Sequence, residues 1–228
     1  MELLHNGFTL QIYEGCFPLS TDSMVLADFV KLPKQARVLD LGGGPGTLGL
    51  LLCAKRDDCR VTGVELDPAA HRCALDNIAQ NNLSHRMESI CGDIRNAEQL
   101  PVGQFDVCVS NPPYFTGGPA SAKLPAARRT DTCDTQDLFH AAQRALKFGG
   151  DLFLVHRPEY LGQLISCAGA AKLEAKTLCL VRSKPSEAVS LVLLHFRKGA
   201  KPGLRWEELC LYDAEGHPTE AYKRIYHL

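Results

Sequence analysis

The chain has 228 residues, of which 45% are hydrophobic and 22% charged, with a formal net charge of −1. This composition is that of an ordinary globular protein, and the length suits one α/β domain with a tail rather than two full domains. No apolar run approaches the ~18 residues that span a bilayer, and the N-terminal residues MELLHNGFTL do not resemble a secretion signal, so we expect a cytoplasmic protein.

Along the chain, residues 15–30 (GCFPLSTDSMVLADFV) predict a loop that leads into a helix, with Ser20, Thr21 or Asp22 as its N-cap. From there, short apolar runs alternate with amphipathic stretches. The predicted strands are Arg37–Leu41, Arg60–Glu65, Met87–Cys91, Phe105–Val109, Asp151–His156, Thr177–Val181 and Ser190–Arg197. The predicted helices are Thr47–Lys55, Pro68–Asn81, Gln136–Lys147, which Gly149 and Gly150 should end, and Pro158–Ala171.

This alternation predicts an α/β fold with a seven-stranded, mostly parallel sheet and helices on both faces. Only residues 182–189 separate the last two strands, too few for a helical crossover. We therefore expect those strands to form an antiparallel pair at the sheet edge, which makes the last strand the reversed one.

The stretch from Arg37 to Gly46, RVLDLGGGPG, is a strand that runs into a glycine turn. Residues 44–49 match GxGxxG, which alone would suggest a dinucleotide cofactor. However, Asp40 lies at the strand end ahead of Gly42, Gly44 and Gly46, and its carboxylate would repel a pyrophosphate. It would attract a ligand with an ammonium and a sulfonium group, as S-adenosylmethionine has, so the spacing favours that cofactor.

Two further strand ends supply candidate cofactor-binding residues. Glu65 can accept hydrogen bonds from both ribose hydroxyls, and Leu66 can pack on the adenine. Asp93, followed by Ile94, can accept a hydrogen bond from the adenine amino group. Each acid could instead be a helix cap or a solvated turn residue, but ligands of such sheets bind where parallel strands end.

The stretch VSNPPYF, residues 109–115, follows the fourth predicted strand. A conjugated amino group is a poor nucleophile until its hydrogens point at acceptors, and the Asn111 side chain and the Pro112 carbonyl can accept one hydrogen each. We assign Asn111, Pro112 and Tyr114 to catalysis, and Asn111 also to cofactor binding. Pro113, Tyr114 and Phe115 are assigned to the substrate, with Tyr114 as a stacking face. The alternative is a structural Asn-Pro-Pro turn with Tyr114 in the core.

Positive charge concentrates in the second half of the chain. Residues 1–116 carry a charge of −5 and residues 117–228 a charge of +4. Arg128 and Arg129 lie in the long irregular segment 116–133 and are candidate phosphate contacts, or else solvated surface residues. Other candidates for RNA phosphate contacts are Lys123, Arg182, Lys184, Arg197, Lys198 and Lys201.

Cysteine and histidine positions predict no metal site. The ten cysteines form no CxxC pair, and several lie in apolar runs, namely Cys53, Cys73, Cys108, Cys167 and Cys179. Disulfide scaffolds and zinc sites usually have tighter spacing. We expect reduced, buried thiols.

The motifs DLGGGPG, VELD, GDI and VSNPPYF together resemble the class I S-adenosylmethionine-dependent methyltransferases that act on amino groups. That resemblance implies a Rossmann-like sheet of seven strands with a reversed last strand. More narrowly, FPLSTDSMVLADFV and the terminal AYKRIYHL are similar to the bacterial tRNA(Val) adenine-N6 methyltransferases, which modify the anticodon loop. The resemblance implies that Ser20, Thr21 and Asp22 close over the methionine end of the cofactor. It also implies one domain over 1–228, with a cofactor-closing segment (1–35), a core (36–198) and a C-terminal extension (199–228).

Three alternatives stay open from the sequence. Release-factor glutamine methyltransferases share the NPPY chemistry but carry a sizeable domain before the cofactor loop. DNA adenine and ribosomal RNA guanine methyltransferases usually bring a second domain. A non-catalytic domain that binds S-adenosylmethionine or RNA would have no reason to keep Asp40, Glu65, Asn111 and Tyr114.

Overall fold

A central eight-stranded sheet organises the computed structural model, which describes residues 2–96, 100–113 and 135–228. A small antiparallel pair, β1 (Glu2–Leu3) and β2 (Thr9–Leu10), precedes the sheet. The sheet strands are β3 (Arg37–Leu41), β4 (Arg60–Glu65), β5 (Met87–Cys91), β6 (Phe105–Ser110), β7 (Leu146–His156), β8 (Leu173–Arg182), β9 (Leu191–Lys198) and β10 (Arg205–Cys210). Their spatial order is β10-β8-β9-β7-β6-β3-β4-β5.

Helices cover both faces of this sheet. They are α1 (Thr21–Phe29), α2 (Thr47–Lys55), α3 (Pro68–Gln80), α4 (Thr135–Ala145), α5 (Leu161–Ala170) and α6 (Glu220–Tyr226). One apolar core joins α1, α2 and α6 to the sheet, and a second core joins α4 and α5 to its other face. The predicted α/β class and the mostly parallel sheet are therefore confirmed.

The first parallel strands follow the sequence pattern closely. The bounds of β3, β4, β5 and α2 are the predicted ones, because near-continuous apolar runs are buried on both sides of a parallel sheet. In β3, all residues after Arg37 are buried. Helix α3 begins at Pro68, where the side chain of Asp67 accepts a hydrogen bond from the Ala69 amide at 2.8 Å.

Two helix ends differ from the prediction. Helix α4 ends at Ala145, so Gly149 and Gly150 do not end it, and β7 begins at Leu146. The pairing with β6 jumps from Leu146 to Asp151, and the glycines lie in this irregularity, with Gly149 at a φ of +81°. The predicted helix Pro158–Ala171 is a 3₁₀ turn over Pro158–Tyr160 followed by α5.

The last predicted strands pair as expected, but they do not form the edge of the sheet. Strand β9 is antiparallel to both β7 and β8 and lies between them. Strand β10 then pairs parallel with β8 and becomes the edge, so the sheet has eight strands rather than the predicted seven. The edge prediction is wrong because the segment RWEELC, residues 205–210, is mostly exposed and carries no apolar pattern that marks a strand.

Both chain ends pack on the central sheet region. The N-terminal Gln11 exchanges hydrogen bonds with Asn77 of α3, both at 2.8 Å. Near the C-terminus, Arg224 of α6 pairs with Asp28 of α1 at 2.9 Å. The division at residues 35 and 198 stays a prediction.

The cysteines that the structure describes form no disulfide with one another, and the five cysteines predicted to be buried are buried; Cys133 lies outside the described residues. Within the same ranges, no three or more His, Cys, Asp or Glu side chains cluster closely enough to hold a metal ion. A search of the described helices finds none with the length and apolar character needed to cross a membrane.

Candidate active site

The loops that follow β3, β4, β5 and β6 meet at one side of the sheet, which we call its carboxyl end. Backbone contacts fix these loops to one another. The Ser110 hydroxyl donates to the Leu41 carbonyl at 2.7 Å, and the Gly42 amide donates to the Val64 carbonyl at 3.0 Å. The Gly92 amide donates to the Glu65 carbonyl at 2.9 Å. The candidate residues of four strand ends are therefore held in a fixed arrangement.

The glycine loop after β3 takes a conformation that requires its glycines. Gly42, Gly44 and Gly46 have φ values of +78°, +54° and +86°, in the left-handed region that side chains disfavour. Asn77, which is fully buried in α3, donates to the Pro45 carbonyl at 2.9 Å. Sequence reasoning missed Asn77, although a buried polar residue in an amphipathic helix was a signal for it.

Asp40 lies beside this loop at the carboxyl end of β3. Its side chain is 1% exposed, and its Oδ1 atom has no hydrogen-bond partner among the described residues. Burial, reinforced by the charge of Glu65, raises the pKa of Asp40 to about 7. A buried carboxylate with an unused acceptor is stabilised by a cationic ligand, so the site fits the positively charged end of S-adenosylmethionine.

Glu65 ends β4 and braces the glycine loop. Its two carboxylate oxygens accept hydrogen bonds from the Gly44 amide at 2.8 Å and the Asp67 amide at 2.7 Å. Each oxygen keeps further acceptor capacity, so these bonds orient the carboxylate while leaving lone pairs for ribose hydroxyls. Leu66 is 47% exposed next to it, which leaves an apolar face for a ring. The ribose and adenine roles of these two residues stay predictions.

Asp93 has a strong local partner. Its carboxylate accepts hydrogen bonds from the Arg95 amide and guanidinium at 2.6–3.0 Å. The Arg95 side chain is the main reason that the pKa of Asp93 is lowered. This pairing with Arg95 is the turn role that the sequence left as an alternative for Asp93. A contact of Asp93 or Ile94 with adenine stays a prediction.

Asn111 follows β6 and is half-buried, with Pro112 buried behind it and Pro113 exposed. The Asn111 Nδ2 group donates to the Ser23 hydroxyl at 3.0 Å. No hydrogen bond to the Asn111 Oδ1 atom is present within the described ranges. The side chain therefore keeps an acceptor, as the predicted chemistry needs. Tyr114, Phe115, Lys123, Arg128 and Arg129 lie outside the described residues.

The first turn of α1 lies next to Asn111 and brings the N-terminal motif to the carboxyl end of the sheet. Ser20, one of the three predicted candidates, is the N-cap, and its hydroxyl accepts from the Ser23 amide at 3.4 Å. The Thr21 hydroxyl accepts from Tyr226 Oη of α6 at 3.1 Å, and Asp22 is half-buried in the same turn. Contacts of Ser20, Thr21 and Asp22 with the cofactor stay predictions. Ser23 was not among the predicted site residues.

Comparison with known proteins agrees with this geometry. Residues 19–163 match the family described as the methyltransferase small domain. The chain belongs to this family. A tRNA1(Val) (adenine(37)-N6)-methyltransferase from Aeromonas hydrophila is 30% identical over 97% of this chain and 95% of its own length. A protein of the same name from Tolumonas auensis is 35% identical over 86% of this chain and 83% of its own.

Solved structures of methyltransferases share the fold of this family member. A predicted O-methyltransferase from Agrobacterium tumefaciens superposes with a TM-score of 0.77 at 22% identity, over 91% of this chain and 96% of its own. A methyltransferase from Pyrococcus furiosus gives a TM-score of 0.64 at 21% identity, over 86% of this chain and 91% of its own. The predicted resemblance and the Rossmann-like class I fold are confirmed, and the chain is a methyltransferase that uses S-adenosylmethionine.

Proposed function

We propose that this methyltransferase methylates the N6 amino group of an adenine in the anticodon loop of a tRNA. The observation that carries the proposal is the position of Asn111. Its Oδ1 acceptor is held at the carboxyl end of β6, next to β3, the strand that carries Asp40. The tRNA substrate rests on the names of the relatives that match nearly the whole chain.

Asp40, Glu65 and the glycine loop would hold the cofactor, and the cofactor supplies an electrophilic methyl group when bound. The adenine amino nitrogen shares its lone pair with the ring, so it attacks only after it rehybridises. The Asn111 side chain and the Pro112 carbonyl accept its two hydrogens and direct the lone pair to the methyl carbon. The fixed φ angles of two prolines keep these acceptors in place, so the gain comes from orientation.

Tyr114, with Pro113 and Phe115, would stack on the adenine ring once the base leaves its own stack. That step costs little in an anticodon loop because its bases are unpaired. Arg128 and Arg129 would contact phosphates beside the base. A cytoplasmic location, where such a substrate is found, is part of this proposal.

The structure separates the other basic candidates into two groups. Arg182 ends β8 and Lys184 follows it, at the carboxyl end of the sheet. Arg197 and Lys198 end the antiparallel strand β9 and Lys201 follows it, so these three lie at the opposite, amino end. Arg197 binds Asp151 there at 2.7 Å, and Lys198 donates to the Gln143 and Leu146 carbonyls. We therefore assign RNA contacts to the carboxyl end and structural roles to Arg197 and Lys198.

To test the proposal, the purified protein and labelled S-adenosylmethionine are incubated in parallel with three substrates: unmodified tRNA, release factor and duplex DNA. Mass spectrometry then identifies the methylated nucleoside or amino acid. We expect N6-methyladenosine at an anticodon-loop position. Methylglutamine in the release factor, or N6-methyladenine in DNA without any product in tRNA, would overturn the assignment.

A further inference from the structure

Ser23 is a buried hydroxyl residue that contacts Asn111 although 88 positions of sequence separate them. We propose that Ser23 is a positioning residue, which holds the Asn111 amide so that its Oδ1 atom faces the substrate amino group. This inference rests on the proposed role of Asn111 in amino-group transfer. It assigns Ser23 no contact with the substrate.

The need for such a residue follows from the shape of an asparagine side chain. A rotation of 180° about the terminal torsion exchanges Oδ1 and Nδ2 with almost no change in volume. In one orientation Asn111 presents an acceptor to the substrate, and in the other it presents an NH₂ group to another NH₂ group. Only the first can orient the nucleophile. The NH₂ group of the substrate favours the first orientation, and a partner on the far side of the amide must hold the side chain where that orientation can form.

Ser23 has the position and the burial to be that partner. Its side chain is 5% exposed, and its Oγ atom accepts from Asn111 Nδ2 at 3.0 Å. This bond uses one amide hydrogen and leaves Oδ1 on the other side. A hydroxyl can accept from Nδ2 or donate to Oδ1, so the contact fixes where the amide lies rather than which way it faces. Because the hydroxyl is removed from water, loss of the contact would leave a buried polar group unsatisfied, which holds the Asn111 side chain in this place.

The backbone around Ser23 is itself anchored. The Ser20 side chain caps α1 by accepting from the Ser23 amide. The neighbouring Thr21 hydroxyl accepts from Tyr226 of α6, the helix near the C-terminus. Ser23 therefore reaches Asn111 from a helix start that is fixed at two points, which suits a group that must hold another side chain in one orientation.

The kinetic test compares four variants of the full chain: Ser23→Ala, Ser23→Thr, Asn111→Ala, and the double variant with alanine at both positions. We expect Ser23→Ala to lower kcat about tenfold, the upper range for one neutral hydrogen bond, with cofactor Kd unchanged. Ser23→Thr keeps the hydroxyl and should retain most of the activity. Asn111→Ala should lower kcat about a hundredfold or more, with cofactor binding nearly intact, and the double variant should lower it no further.

The matched control is Ser89→Ala, which also removes a serine hydroxyl with a side-chain partner, the His71 ring at 2.8 Å, but does so on β5 away from Asn111. We expect its kcat to stay near wild type. A double variant whose loss is the product of the two single losses would overturn the proposal, because Ser23 would then act independently of Asn111. A Ser23→Ala variant with weaker cofactor binding and normal kcat would also overturn it.

A measurement without turnover separates this inference from the proposed function. The side-chain amide signal of Asn111 in a nitrogen-15 spectrum is identified by its loss in Asn111→Ala. We expect Ser23→Ala and the similarly shaped Ser23→Cys to move this signal and speed its hydrogen exchange, and Ser23→Thr to preserve both. An unmoved signal would refute the positioning role whatever the substrate. A moved signal together with unchanged turnover in Asn111→Ala would instead refute the proposed mechanism.

Discussion

Asp40 at the carboxyl end of β3 and Asp151 near the amino end of β7 belong to the same sheet, but among the described residues only Asp151 has cationic partners. The Asp151 carboxylate binds the His195 ring at 2.7 Å and the Arg197 guanidinium at 2.7 and 2.9 Å. Burial raises the pKa of Asp151, but the bonds from His195 and Arg197 outweigh it and hold the pKa below its ordinary value. Asp40 is more deeply buried and has no such compensation.

The difference separates a structural acid from a functional one. Burial of a carboxylate without a partner costs the protein stability. A bound cation can compensate that cost, so such a carboxylate is a candidate ligand-binding group. At the amino end, Asp106 is also partnered, by Lys147 and by the Arg37 amide. The acids compared at the amino end therefore stabilise the fold, whereas Asp40 at the carboxyl end keeps an unused acceptor within the described residues.

The largest expected effect is on cofactor binding by Asp40→Asn. Loss of a buried charge that pairs with a ligand cation should cost about 3 kcal/mol, or roughly two orders of magnitude in Kd. Titration calorimetry with S-adenosylmethionine measures this. In the absence of cofactor, the variant should be no less stable than wild type at pH 8, because the substitution removes a carboxylate whose burial destabilises the folded state. Wild-type affinity in this variant would break the cofactor assignment of Asp40.

Asp151→Asn should give the reverse pattern. It leaves Arg197 without its carboxylate partner, so we expect the free energy of unfolding to fall by about 2 kcal/mol. Thermal melting should show a Tm roughly 4–8 °C lower, while cofactor Kd is unchanged. In the wild-type protein, the stabilisation by ionised Asp151 is fully present above the ordinary pKa of an aspartate. It is lost as pH falls through the lower pKa that Asp151 has in the folded state. A Tm equal to wild type would contradict the structural role.

Charge reversal compares basic residues at the two ends of the sheet. Arg182→Glu with Lys184→Glu changes two residues at the carboxyl end, and Lys201→Glu with Arg205→Glu changes two near the amino end. We expect the first pair to raise the apparent KM for tRNA about tenfold and to reduce its salt dependence, since phosphate contacts are lost. The second pair is the control. Equal effects of both pairs would contradict docking at the carboxyl end.

Cofactor affinity should depend on pH through Asp40. Its folded-state pKa of about 7 means that the carboxylate is protonated as pH falls through 7. Between pH 8 and pH 6, the affinity for S-adenosylmethionine should decrease about tenfold. Without cofactor, the free energy of unfolding should increase as pH falls from 8 to 6. Protonation of Asp40 removes the cost of burying a charged carboxylate, and that cost is present above the raised pKa. Asp40→Asn should remove both dependences, and a flat affinity profile in wild type would argue against them.

The smallest effect is expected at an exposed ion pair. Arg224 and Asp28 join α6 to α1 at 2.9 Å, but the Arg224 side chain is 60% exposed. Arg224→Ala should therefore lower the free energy of unfolding by less than about 1 kcal/mol, far less than Asp151→Asn. Denaturant unfolding measures both variants side by side. A cost for Arg224→Ala equal to that of Asp151→Asn would show that burial does not decide the value of these pairs.

Local sequence determined the half of the sheet that carries Asp40 and Glu65. Strand β3, its glycine turn and Asp40 are contiguous, and α2 follows within a few residues. Apolar runs, turn residues and caps act over such short distances, so their pattern predicts both the elements and the acids at their ends. The Asn-Pro-Pro corner after β6 is local in the same sense, since proline fixes its own backbone.

Contacts between distant segments determined the rest. No pattern in residues 205–210 marks β10, because an exposed edge strand is specified by the partner that it pairs with. The antiparallel strand β9 lies between β7 and β8, and the contacts of Ser23 with Asn111 and of Asn77 with Pro45 exist only once the chain has folded. The sequence by itself determined which chemical groups are present and which strand ends carry them. Only the tertiary structure decided which of those groups are paired and which remain available, because burial and partners come from residues far apart in the chain.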